Sequence, residues 1–425
     1  MSASGGDLEG RATSTAGMVA PTSQVALPAR SAAPRPALDS IPRRARGALA
    51  LKDFEIAARR YLPRSVFGFI AGAAETDAAL RDNVDAFAEW SFLPRYLANV
   101  SGRSQSTTLF GRTYAAPFGI APMGASALAA YRGDIVLAEA GAAANVPMIM
   151  SASSLIRMEE VEAAGCHWYQ AYQPGESERI EKLVDRVQAA GFETFVLTVD
   201  IPVPANRENN VRSGYSMPLK ITPRLVWDSV SHPGWLLGVW ARTLQRHGMP
   251  HFENMDAHRG PPMLSKNLVR EVGARDQLAW EHVELIRKRW RGNLVIKGIL
   301  HPEDARLARE YGADGIILSN HGGRQLDHAI SPLRVLPEVA DEAGDMVVML
   351  DGGIRRGTDV LKALALGADF VFVGRPFLYA AAIGGAAAVR HGIAILSEEI
   401  DRDLALLGIR DVAELGRHHL RARRA

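Results

Sequence analysis

The chain of 425 residues carries one cysteine, Cys166. A lone cysteine excludes an internal disulfide and any zinc cluster built from several thiolates. The sequence reads it as a small residue near a buried strand. There is no surplus of charge of either sign: 49 Lys and Arg against 47 Asp and Glu leave a net charge of +2. That balance lacks the basic footprint of a nucleic-acid binder. The first 50 residues hold no apolar run of about 7–15 residues as in a signal peptide, and none of about 20 as in a membrane span. No Walker or Rossmann glycine pattern occurs. Residues 1–50 lack periodicity and are rich in Ala, Ser, Pro and Arg, so they are expected to form a disordered tail. An organelle transit peptide would share that composition, although Asp7 and Glu9 count against it. Residues 416–425 read as a short basic tail.

What is present is a large apolar fraction, 47%, enough for the core of one domain over residues 51–415. Residues 51–90 read as helices. Leu51, Phe54, Ile56 and Ala57 begin an amphipathic face, and Leu62-Pro63 punctuates it. Val66, Phe67, Phe69 and Ile70 continue the apolar face, and Thr76-Asp77 suggests a third start. These helices are expected to cap one end of the main domain.

From about residue 115 a rhythm sets in. Strand-like apolar runs fall at 117–122, 146–150, 168–172, 194–199, 293–297, 314–319, 346–350 and 369–373. Helical stretches, such as 134–144, 176–190, 302–311 and 357–366, separate most of them. Strand and helix alternating eight times predicts an α/β fold, a (β/α)8 TIM barrel with an N-terminal helical cap. In such a barrel the active site lies at the C-terminal ends of the strands. Polar or ionisable residues gather at those ends: Ser151, Gln170, Tyr172, Thr198, Asp200, Lys297, Ser319, His321, Asp351 and Gly374-Arg375. That clustering points to an enzyme.

The richest stretch is Asp314 to Asp327. A short apolar strand, Ile316-Ile317-Leu318, runs into a glycine-rich loop with His321 and Arg324. Histidine is the side chain suited to take a proton near neutral pH. Arginine offers a planar fork matched to a carboxylate. Gly322 and Gly323 permit close approach of the backbone to a flat ligand. Asp200 and His321 suit an orienter–base pair or a plain ion pair. Lys297 either stays charged against an electron-rich ligand, acts as a Schiff-base amine, or pairs with a carboxylate across the barrel mouth. Asp351-Gly-Gly-Ile-Arg-Arg-Gly357 and Gly374-Arg375 follow strands seven and eight, where such barrels bind phosphate. They imply a mononucleotide cofactor or a phosphorylated substrate.

These residues carry a resemblance. Ser319-Asn-His-Gly-Gly-Arg-Gln-Leu-Asp327, the run Asp351 to Ala368, and Leu197-Thr-Val-Asp-Ile-Pro202 with Arg207-Glu208 resemble the FMN-dependent α-hydroxy-acid oxidase and dehydrogenase family over roughly residues 50–415. The resemblance implies FMN as cofactor and an L-2-hydroxy acid as substrate, oxidised to the 2-oxo acid. It implies His321 as the base, Asp200 as stabiliser of its imidazolium, and Tyr172 and Arg207 near the substrate. Arg324 would bind the substrate carboxylate, and Lys297 would face the flavin N1/O2 edge. Ser151, Gln170 and Thr198 would bind the flavin ring. Arg355, Arg375, Gly353 and Gly374 would hold the phosphate. Pro122, Met123, Gly124, Ser319 and Asp351 complete the expected cofactor set, with no metal.

Two departures stand out. Phe69 occupies the position where the family carries a Tyr whose hydroxyl helps bind the carboxylate, a charge-assisted bond worth about 1.5–3 kcal/mol. Its loss points to a larger or less acidic substrate. Met123 stands where relatives carry Thr.

The connection after strand four, about 205–275, is far longer than an ordinary crossover. It is apolar between Leu225 and Trp240, with Arg224, Arg242 and Arg246 around it. A membrane interface fits this composition, and so does a packed lid or subunit contact. The insertion resembles that of membrane-bound mandelate dehydrogenase, including His247-Gly-Met-Pro250. That implies a membrane quinone or other acceptor in place of oxygen, and Gly124 leans the same way. The resemblance also implies a homo-oligomer, a tetramer in many relatives, in the cytoplasm or on the inner face of the cytoplasmic membrane.

Rival readings have weaker support. An FMN-dependent isomerase would not need the His321/Arg324 pair. An IMP dehydrogenase-like enzyme needs an active-site cysteine, and Cys166 precedes strand three. A non-enzymatic flavin binder would not need His321 with Asp200.

Overall fold

The computed structural model describes residues 37, 40–216, 218–265 and 275–423. The expected tail over 1–36 and 38–39, residues 266–274 of the insertion and the last two residues lie outside them.

Eight parallel strands form the centre. They are β1 (Phe118–Ile120), β2 (Ile149–Ser151), β3 (Trp168–Ala171), β4 (Thr194–Thr198), β5 (Asn293–Ile299), β6 (Gly315–Leu318), β7 (Val347–Asp351) and β8 (Phe370–Val373). Each predicted run contributes one strand. Hydrogen-bonded order runs β1-β8-β7-β6-β5-β4-β3-β2. A parallel bridge between Ile120 and Met148 joins the two ends and closes the barrel. Most of these strands are buried along their whole length, as parallel strands covered on both faces must be. Val196, Val295, Ile317, Met349 and Phe370 fill the interior, together with Leu109 and Tyr114 of a preceding hairpin. A second, larger cluster lies between the strands and the outer helices.

The helices Gly133–Ala143, Ser177–Ala189, Pro302–Glu310 and Gly357–Leu366 match the predicted crossovers within a residue at each end. The last crossover helix, Arg375–Leu407, is long and apolar enough to span a membrane, and most of it is buried. It is a core helix with a break at Gly384-Gly385. The sequence shows no clean apolar run there because glycines and Arg390-His391 interrupt it.

The N-terminal cap consists of α1 (Leu51–Tyr61), α2 (Arg64–Ala71) and α3 (Ala78–Asp85). Phe54 of α1 packs edge-on against His391 of the long helix. Both predicted tails extend too far into the chain. Ile41, Ala45 and Ala48 are buried against the core, and Leu420–Ala422 pairs antiparallel with Trp90–Phe92. Isolated apolar residues spaced three or four apart, and a strand of three residues, are too short to produce a periodic signal.

The first part of the insertion carries helices at Glu208–Ser213, Pro223–Val230, then Pro233–Trp235 continuing through a π-turn to Arg242–His247, and residues 248–265 are irregular. Both sequence-based alternatives find support, in different residues. Trp235 is buried and donates its ring N–H to Leu128 O at 2.7 Å, as in a packed lid. Ile221, Trp227 and Leu237 remain exposed at 72%, 76% and 67%.

Candidate active site

The loop after β6 is built to hold one histidine in an unusual backbone conformation. His321 has φ +58°, a region few non-glycine residues enter. Ser319 Oγ accepts the His321 N–H at 3.0 Å, and Asn320 Oδ1 accepts the Gly323 N–H at 3.0 Å. The Asn320 and Asn83 amides bond each other reciprocally at 2.7 Å, tying the loop to α3. Asp327 closes the same joint, accepting from Thr76 N, Thr76 Oγ1 and Ala79 N. Burial raises its carboxyl, but these donors hold it far below the usual range. Gly323 has φ +76°, and a Cβ on it would lie 2.5 Å from Leu80 N. The approach of α3 therefore requires this glycine, rather than the flat ligand expected from sequence.

His321 Nδ1 lies 3.0 Å from Asp200 Oδ1. Burial pushes the imidazole pKa below its ordinary value, Asp200 partly opposes this, and Lys297 and Arg207 add to the lowering. Burial also raises Asp200, but His321 and Lys297 together hold its carboxyl below the ordinary value. An ionised carboxylate beside Nδ1 selects the tautomer with the proton there. Nε2 is then an acceptor, with no partner among the described residues. The pair is thus a charged orienter on a neutral base.

The alternatives for Lys297 resolve in favour of a charged side chain paired across the mouth. Its Nζ lies 2.9 Å from Asp351 Oδ2 and donates to Ser319 Oγ at 2.6 Å. Burial lowers the ammonium pKa, and the neighbouring carboxylates of Asp351 and Asp200 outweigh this and raise it. A protonated lysine is no Schiff-base nucleophile.

Two guanidinium groups lie near His321. Arg324 Nη1 donates to the carbonyls of Phe69, Ile70 and Gly72. Its Nε and Nη2 have no partner among the described residues. Arg207 Nε donates to Arg324 O at 3.0 Å and Nη2 to Gln325 Oε1 at 2.7 Å. Neither arginine forms an ion pair with a carboxylate among the described residues. Burial, then repulsion from Arg207 and Arg375, pushes Arg324 well below the ordinary guanidinium value. Phe69 lies under Arg324, with Cζ 5.2 Å from its ring centre. The Tyr172 ring is 6.3 Å from that of His321, and burial raises its phenol pKa. Arg275, which follows residues 266–274, sits 4.8 Å over the Tyr172 ring. Sequence reasoning missed Arg275, Asn83 and Tyr215, because nothing local marks an insertion residue or a cap residue as facing the site.

The cleft beside His321 is lined by Phe69, Pro122, Met123, Gly124, Lys297, Arg324, Asp351, Gly353, Arg355, Gly374 and Arg375. The cleft has a cavity volume of about 140 Å³ and opens to solvent. Ser151, Gln170, Thr198 and Ser319 are buried at the strand ends, and Ser151 Oγ donates to Gln170 Oε1 at 3.0 Å. Thr198 Oγ1 and Asp351 Oδ1 are buried without a hydrogen-bond partner. Arg375 is pushed down to about 10, chiefly by burial, and donates to the carbonyls of Ile70 and Gly322. Neither Arg375 nor Arg355 forms an ion pair with a carboxylate among the described residues. Unsatisfied buried polar atoms, a central ammonium and two cations at one end fit a flat polar ring carrying an anionic tail, as FMN does.

Two glycines in this set answer to protein neighbours. A Cβ on Gly353, at φ +79°, would lie 1.8 Å from Asn83 O, and one on Gly124 would lie 2.8 Å from Ser153 Cβ. Cys166 is buried, its thiol pushed up to about 12 by burial, and it plays no part in the cleft.

The sequence pattern of the FMN-dependent dehydrogenase family matches residues 58–422. The L-lactate dehydrogenase of Pseudomonas aeruginosa is 40% identical over 372 residues, covering 86% of this chain and 96% of that protein. The L-lactate dehydrogenase of Stenotrophomonas maltophilia is 39% identical over 377 residues, covering 87% and 98%. Among solved structures, the monotopic membrane protein (S)-mandelate dehydrogenase superposes with a TM-score of 0.82 at 33% identity, covering 89% of this chain and all of that one. A mandelate oxidase superposes with a TM-score of 0.71 at 34% identity, covering 86% and 97%.

Proposed function

The chain belongs to the FMN-dependent dehydrogenase family, and we propose on that premise how its residues oxidise an L-2-hydroxy acid to the 2-oxo acid. One observation supports the proposal most directly. A neutral histidine on an ionised aspartate stands beside two half-buried guanidinium groups that have no carboxylate partner among the described residues. A substrate that brings a carboxylate next to a removable proton satisfies both.

Arg324 and Arg207 bind the substrate carboxylate and so fix which face of the 2-carbon is presented. His321 Nε2 accepts one proton from the substrate. Asp200 stabilises the imidazolium that results, as a buried carboxylate beside a developing cation does. Tyr172 donates a hydrogen bond to the substrate oxygen. Bound FMN would supply the two-electron acceptor: the alcohol loses one proton to His321 and one hydride, a second hydrogen with its electron pair, to the flavin, which leaves the carbonyl. Lys297 would hold a fixed positive charge beside the ring of a bound flavin. Arg355 and Arg375 hold the cofactor phosphate.

The insertion supports a reading of the electron acceptor and the cellular location. Exposed Ile221, Trp227 and Leu237, with Lys220, Arg224 and Arg242 close by in sequence, have the composition of a membrane-interface surface. We propose that this face rests on the inner side of the cytoplasmic membrane and passes electrons to a quinone. The assembly expected from the family resemblance is a homo-oligomer.

Anaerobic titration of the flavin with L-lactate, glycolate, L-mandelate and 4-hydroxymandelate tests the reading. Bleaching by one of them, with slow recovery on admitting air, is expected of a quinone-linked dehydrogenase. Fast recovery would assign an oxidase instead. A bound flavin that none of them bleaches would overturn the substrate class.

A further inference from the structure

Phe69 lines the cleft beside Arg324 and His321. Its ring is stacked on Tyr215, with centroids 4.4 Å apart and planes 24° apart. Tyr215 belongs to the insertion, just after the helix Glu208–Ser213. That helix is held against α2 by the Asn209 amide, which donates to Gly68 O at 2.7 Å. Tyr215 is 5% exposed, and its hydroxyl has no hydrogen-bond partner among the described residues. Buried phenol hydroxyls are normally bonded, so this one lacks an acceptor that something else must bring.

The charged neighbours narrow what that acceptor is. The two cations that act on the Tyr215 phenol are Arg324 and Arg207. Arg324 has Nε and Nη2 without partners, and Arg207 has Nη1. The region around the Phe69–Tyr215 stack therefore holds N–H and O–H donors and positive charge, and among the described residues no carboxylate is paired with these donors. Burial raises the phenol and the two arginines only partly offset this, so the hydroxyl keeps its proton and acts as a donor.

We infer that the Tyr215 hydroxyl binds the carboxylate of the 2-hydroxy acid together with Arg324, supplying from the insertion the phenol that relatives carry at position 69. The inference rests on the proposed 2-hydroxy-acid chemistry and changes its substrate range. Phe69 then no longer implies a weakly acidic substrate. It is the aromatic surface on which the replacement hydroxyl is positioned. The hydroxyl also depends on the insertion staying docked, because Tyr215 reaches the stack from that segment.

The test uses FMN-loaded protein and flavin absorbance to measure binding of phenylglyoxylate, of pyruvate and of the uncharged phenylglyoxylamide. Tyr215→Phe removes one oxygen and keeps the stack. Loss of a charge-assisted hydrogen bond predicts about 10- to 150-fold weaker binding of the two acids. Binding of the amide and the melting temperature should stay within error of the parent. The exchange variant Phe69→Tyr/Tyr215→Phe should recover most of the lost acid affinity. Equal acid binding by Tyr215→Phe and parent overturns the inference, as does parallel loss for acid and amide, which marks a packing role. A parent flavin that responds to no 2-oxo acid and no 2-hydroxy acid overturns the underlying function itself.

Discussion

Asp200 Oδ1 and His321 Nδ1 stand 3.0 Å apart, one just past β4 and the other in the loop after β6, 121 residues later in the chain. The contact holds the imidazole in one tautomer. Burial keeps that imidazole neutral, and Asp200 only partly opposes it. The sign of the pH dependence follows. The base form of His321 is the one present above its lowered pKa, so activity is retained at neutral pH and lost as pH falls through that value.

Flavin reduction measured by stopped flow should therefore show an acid limb below the ordinary histidine value of about 6.5. Asp200→Asn removes the influence that raises His321, so the limb should move to still lower pH while the maximal rate drops. An acid limb above 6.5 in the parent protein would contradict the arrangement.

His321→Ala should keep the yellow flavin bound and slow its reduction by substrate by about 10²–10⁴-fold, the usual contribution of a positioned base. Reduction at the parental rate would remove His321 from the role.

Lys297 and Asp351 form a buried ion pair at 2.9 Å. Lys297→Met leaves a buried carboxylate alone, which costs about 3–5 kcal/mol. Urea denaturation of the FMN-free protein should register that loss, and Lys297→Met/Asp351→Asn should recover part of it. Equal stability of Lys297→Met and parent would mean that the pair does not persist in solution.

Gly353→Ala places a Cβ where Asn83 O already stands, at a positive φ. The joint between α3 and the loop after β7 must then open. The variant should lose FMN on gel filtration and melt well below the parent. Gly374→Ala, whose Cβ would meet nothing closer than 3.6 Å, should melt close to it.

Trp227→Ser and Leu237→Ser remove exposed apolar surface from the insertion. Both should weaken co-sedimentation with anionic vesicles and leave flavin reduction by substrate unchanged. Full retention on vesicles would move membrane contact away from this face.

The barrel was legible in the sequence because parallel strands covered on both faces are continuous apolar runs, and eight of them alternate with helices. Ser319, His321, Lys297 and Asp351 could be placed at the mouth because strand ends in a barrel converge on one face. Chain boundaries were less legible. The packing of Ile41 and Ala45, and the three-residue strand at Leu420, involve too few residues for a period to show.

The sequence by itself determined the barrel and the chemistry-bearing side chains at its mouth, since both follow from local runs and spacings, and its motifs carried the family resemblance. Tertiary structure alone decided how those side chains behave. It set Lys297 against Asp351 as a charged pair and kept His321 neutral through burial. It assigned Gly353 and Gly323 to the approach of α3. It also stacked Tyr215 on Phe69, which lies 146 positions earlier in the chain. Burial, charge pairing and close approach depend on which distant residues meet, and no local pattern carries that information.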